Sequence, residues 1–138
     1  MVISHQDALI YTMVMVSAAD NDITDAELSA MARRVRYLPI FAGFDSERLT
    51  EVTRDCAARL GEEDGLDNTL VLIRDALSKK MRETAYVFAC EIVLSDGEIS
   101  QEELRILELI RHRFDIDRLV GSAIERAMAA RYLRPGDV

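Results

Sequence analysis

Residues 85–104, AYVFACEIVLSDGEISQEEL, decide the fold. From Ala85 to Leu94 every residue except Glu91 is apolar, so a helix here would be buried on nearly every face. Ser95-Asp96-Gly97-Glu98 then breaks the apolar run. Ser100 and Glu103 follow with capping-box spacing, in which a hydroxyl accepts from a free N–H of the first helical turn and the glutamate reaches back to the cap residue's N–H. Glu98 adds negative charge beside the positive end of the helix dipole. Ile99, just before the cap, stands where a hydrophobic staple begins. The stretch reads as a buried helix, a tight acidic turn and a second helix.

A shift of 76 residues finds the same arrangement near the N-terminus. Asp20 falls on Asp96, Asn21 on Gly97 and Asp22 on Glu98. Ile23 falls on Ile99, Thr24 on Ser100, Glu27 on Glu103 and Leu28 on Leu104. Asn and Gly are the residues that best tolerate positive φ, so each turn is expected to need one left-handed residue directly after its aspartate. The helix before the first turn, about His5 to Ala19, contains ALIYTMVMVSAA and is apolar all round. Two such hairpins, about 8–36 and 84–112, predict pseudo-two-fold packing around a shared core.

Periodicity and punctuation place the other helices. The second runs from Thr24 to about Arg36, before Pro39. A third runs from Asp45 or Ser46 to Leu60, with Gly61 in the C-terminal stop position. Glu62 to Leu66 reads as an acidic loop, and a fourth helix covers about Asp67 to Leu77. Ser78 caps the fifth, the sixth spans Gln101 to about His112, and the seventh spans about Asp117 to Leu133. Pro135 opens a short frayed tail. No alternating strand pattern occurs. The fold class is all-α, a single domain of about seven helices over residues 1–138.

Composition limits the function. The charge, 17 − 25 = −8, repels phosphate backbones and so argues against nucleic acid as a partner. The longest apolar run, Ala8 to Ala19, is well below the ~20 residues needed to cross a bilayer, so no direct membrane insertion is expected. The opening MVISHQD has no signal-peptide pattern. Cys56 and Cys90 lie inside helical patterns and read as buried free thiols. A cytoplasmic location is expected.

The acidic turns have two readings. In one, Thr24, Ser100, Glu27 and Glu103 are helix caps and nothing more. In the other, Asp20 with Asp22, and Asp96 with Glu98, hold a hard divalent cation such as calcium or magnesium. Asp20 and Asp96 end buried helices, where the dipole opposes negative charge, and each precedes a second carboxylate. Their repulsion calls for a cation, a basic side chain or water. An EF-hand is excluded, because its first and third ligand positions would be Ile92 and Leu94, or Val16 and Ala18.

At these residues the chain resembles the TerB-like family, the tellurite-resistance-associated domain also found in membrane-tethered DnaJ-type co-chaperones. The apolar helix ending in Ala-Ala-Asp-x-x-Ile-Thr-x-x-Glu-Leu carries the resemblance, as does its second copy Leu-Ser-Asp-Gly-Glu-Ile-Ser-x-x-Glu-Leu. So does the closing Ala-Ile-Glu-Arg-Ala-Met-Ala-Ala-Arg-Tyr. The resemblance implies an all-helical fold and no enzymatic reaction. It also implies a divalent-cation role for Asp20, Asp22, Glu27, Asp96, Glu98 and Glu103, in a tellurite, metal or envelope stress response exerted through protein partners. Asn21 departs from the family's usual glycine, which makes the second copy the better candidate site. The competing reading is a metal-independent helical protein-interaction domain.

Other residues carry less. His5 and His112 lie on different helices, and no zinc-ligand spacing occurs. Neither a phosphate loop nor a nucleophile elbow is present. Glu91 could act as a general acid or base with a raised pKa, or pair with an arginine. Arg33, Arg34 and Arg36, like Lys79, Lys80 and Arg82, read as solvated faces or partner contacts. Met13, Met15 and Met31 read as core.

Overall fold

The computed structural model describes residues 2–19, 22–95 and 97–137. Among them are seven α-helices and no strand: α1 (His5–Ser17), α2 (Asp25–Tyr37), α3 (Leu49–Leu60), α4 (Gly65–Ala76), α5 (Lys79–Ser95), α6 (Gln101–Arg113) and α7 (Arg118–Arg131). Three short 3-10 turns, Pro39–Phe41, Ser46–Arg48 and Pro135–Asp137, join them or close the chain. The all-α expectation holds. No described helix is long and apolar enough to cross a membrane.

α1 and α5 pack against each other at the centre. Every residue of α1 from Ala8 to Ser17 is buried, as are Ala85, Tyr86, Phe88, Ala89, Cys90, Ile92 and Val93 of α5. The apolar runs therefore do what all-round hydrophobicity predicts. α3 packs on α1 and α7 on α5, so the two hairpins carry matching third helices. The fourth helix has no counterpart: α4 fills in against α1, α3 and α6. Met13, Met15 and Met31 are core residues, and Cys56 and Cys90 are buried free thiols. Burial pushes the Cys56 thiol up to about 12 and Cys90 to about 11, so neither forms a thiolate readily near neutral pH.

Three boundaries correct the sequence reading. α4 starts at Gly65, inside the expected loop, and that glycine is buried at its first turn. Gly61 ends α3 with φ −79°, not in a left-handed cap; the left-handed residue is Asp64, with φ 54°. The tail is not frayed at Pro135 but forms a 3-10 turn, in which the Asp137 N–H donates to the Arg134 carbonyl at 2.9 Å. Ser78 does serve α5, accepting from the Met81 N–H at 3.3 Å.

Candidate functional site

Both capping boxes form. Thr24 Oγ1 accepts from the Glu27 N–H at 3.1 Å, and Glu27 Oε1 accepts from the Thr24 N–H at 3.0 Å. Ser100 Oγ accepts from the Glu103 N–H at 3.0 Å, and Glu103 Oε1 accepts from the Ser100 N–H at 3.0 Å. Glu103 is the more enclosed, at 4% exposure. Gly97 has φ +92°, the left-handed residue expected after the second aspartate. Its first-copy equivalent, Asn21, lies outside the described residues, as do Asp20 and Asp96.

The two boxes share one space. A groove of about 610 Å3 is lined by Glu27 from the first turn and by Glu98 and Glu103 from the second. Arg33, Arg34 and Tyr132 also line it. Residues from the two turns thus line one groove, which is also lined by Arg34 of α2, the partner of Glu91 on α5. Asp22 is exposed and is not part of that lining.

The donors in the groove are carboxylate oxygens, with no histidine or cysteine among the lining residues. That chemistry suits calcium or magnesium and not zinc. Among the described residues, no three His, Cys, Asp or Glu side chains stand together as a ready metal cluster. Glu27 and Glu103 each commit Oε1 to a cap, so only Oε2 remains outside the box. The described carboxylates do not form a closed cage.

Glu91 has a different role. Arg34 Nε of α2 donates to its Oε2 at 2.8 Å, and Arg131 Nε of α7 approaches its Oε1 at 3.2 Å. The carboxylate therefore ties α2, α5 and α7 together. Burial pushes its pKa up, but Arg34, Tyr132 and Arg131 outweigh this and hold it below the ordinary glutamate value. The raised-pKa reading is corrected, and the arginine-paired reading is correct. Arg34, whose side chain is 14% exposed, is an internal clamp and not part of a solvated face.

A second network lies beyond the turn. The Tyr86 hydroxyl donates to Glu125 Oε2, which also accepts from Arg111 Nη1 at 3.2 Å. These groups border an apolar pocket of about 350 Å3 together with Ile99 and Leu104. Ile99 and Leu104 remain 46% and 43% exposed, whereas Ile23 and Leu28 of the first copy pack against the core. The staple is thus tighter in the first hairpin.

Sequence reasoning missed Arg131, Tyr132 and Arg134 as neighbours of the acidic turns. They belong to α7 and the tail, and no periodicity or spacing within the turns points to them. Arg134 rests its guanidinium against Gly97, where a Cβ would fall 2.7 Å from Nη2.

A protein-family model described as Tellurite resistance protein TerB matches residues 6–127. No curated protein and no solved structure matches the chain significantly.

Proposed function

The chain belongs to the TerB family, and on that premise we propose that it is a non-catalytic module whose acidic turns weakly bind a hard divalent cation. The observation that supports this reading is the single groove lined by Glu27, Glu98 and Glu103. The ligands would come from Glu98 and Glu103, from Glu27 and Asp22, and from Asp20 and Asp96. Calcium or magnesium would neutralise carboxylates crowded by the turns and join the two hairpins across the groove. The module would act through protein partners in a tellurite, metal or envelope stress response. Two buried, unpaired cysteines favour a reducing, cytoplasmic setting for it.

One observation favours a second reading. Both glutamates already serve capping boxes, so the turns have a structural use without metal. A metal-independent helical interaction domain would need nothing more of them.

Melting curves separate the two readings. Calcium at ~100 times its dissociation constant should add about 2.7 kcal/mol of stability, and sodium at matched ionic strength much less. Asp96→Asn should abolish most of the calcium increment while leaving metal-free stability level or higher. Ser100→Ala should cost roughly 1 kcal/mol with or without calcium. Equal stabilisation by sodium and calcium, or an intact increment in Asp96→Asn, would leave only the capping role.

A further inference from the structure

The two hairpins differ most around the pocket beside Tyr86. Under the 76-residue shift α2 and α6 coincide from end to end, Asp25–Tyr37 against Gln101–Arg113. In the first copy the matching positions are apolar and closed. Ile10, Met31 and Val35 are at most 4% exposed, and Ile23, Leu28 and Ala32 pack against the core. In the second copy Tyr86, Glu108 and Arg111 replace Ile10, Ala32 and Val35, and a space of about 350 Å3 opens among them. Its other walls are mainly aliphatic, including Val93, Leu94, Leu107 and Ala129. Filling a core calls for apolar residues, as in the first copy. An apolar space with a few placed polar groups is the form that small-molecule sites take.

Charge selects the ligand. Three helices build the polar end: Tyr86 of α5 donates to Glu125 of α7, and Arg111 Nη1 of α6 donates to the same carboxylate at 3.2 Å. The Arg111 stem lies against α7, where a Cβ at Gly121 would stand 3.2 Å from its Cδ. Arg111 and Glu125 therefore offset each other in fixed positions. Glu108, one turn before Arg111, has no ion-pair partner among the described residues. The lining thus sets two carboxylates against one guanidinium and keeps an excess negative charge. A carboxylate ligand would meet two acids on a chain of charge −8, whereas an ammonium group would restore the balance. We propose that this pocket binds an amphipathic organic monocation, an amine whose ammonium group pairs with Glu108 and whose apolar body fills the space bordered by Ile99 and Leu104. A cavity of about 150 Å3 accepts a benzene ring, so a space of about 350 Å3 holds on the order of a dozen non-hydrogen atoms. The site is independent of the divalent-cation reading of the acidic turns.

Methyl chemical-shift titrations of the full chain with octylammonium, octanol and nonanoate, which share one octyl chain, test it. Octylammonium should shift the Ile99, Leu104 and Ala129 methyls. It should bind about two- to fivefold more tightly than octanol, the range an exposed charge contact supports. Nonanoate should bind more weakly than octanol. Glu108→Gln, a change at an exposed position, should bring the three affinities together, because Arg111 and Glu125 still offset each other. Leu104→Trp should fill the space and weaken all three. Nonanoate binding as tightly as octylammonium, a preference that survives Glu108→Gln, or no pocket shifts with octylammonium would overturn the site. Calcium plays no part in these outcomes, so failure of either reading leaves the other standing.

Discussion

A methyl group added at Gly65 would lie 2.3 Å from the Arg59 carbonyl oxygen and 2.6 Å from that of Leu60, so α3 and α4 would have to separate. At Gly61 the nearest atoms are carbonyl oxygens at 3.6 and 3.7 Å, and φ is compatible with alanine. Gly65→Ala should therefore cost about 3 kcal/mol in urea unfolding, whereas Gly61→Ala should be neutral or gain up to about 1 kcal/mol. A large loss at Gly61, or none at Gly65, would contradict the packing. The sequence marks both glycines as breakers, but only the approach of two helix ends distinguishes them. Glu91 repeats the lesson: its isolation in an apolar helix signals something unusual, yet its two arginines come from distant helices. Its lowered pKa gives stability that is present above the unfolded-state value and is lost as pH falls through the folded value. Glu91→Gln lacks that titration. The melting-temperature gap between the two proteins should thus be widest near pH 7 and narrow below about pH 4.5. A gap that widens with acid would refute the clamp.

At the level of helices, most of the chain was legible. Apolar periodicity located all seven, and the Thr24 and Ser100 boxes form as their spacing implies. What failed was conformation at non-glycine turns. Asp64 adopts φ 54° and lets α4 begin early, a position sequence preference assigns to Gly61. The tail turn was hidden because Pro135 reads as an end, whereas Asp137 folds back on Arg134. The candidate site was half legible. Glu27, Glu98 and Glu103 could be named from the repeat, but that they line one groove is a matter of tertiary packing that no spacing within the turns records.

For the whole molecule, one core centred on α1 and α5 sets the order of opening. Amides in Ala8–Val16 and Ala85–Leu94 should exchange slowest, close to the global unfolding limit, because both helices are enclosed by others. Those of α2, with only Met31 and Val35 buried, should exchange sooner. Exchange of α1 or α5 as fast as α2 would mean that the central pair does not hold the fold. The 76-residue shift also pairs Glu91 with Met15, matching a clamped acid on α5 to a core methionine on α1. Two identical hairpins assembled as a symmetric dimer could not differ there; each would bring the same residue to the same place. Joining both on one chain frees each copy to diverge. At this position one copy is apolar, while its twin holds a carboxylate that fastens the first half to the last helix. Exchanging the two residues would undo both arrangements, so the copies are no longer spare parts for each other.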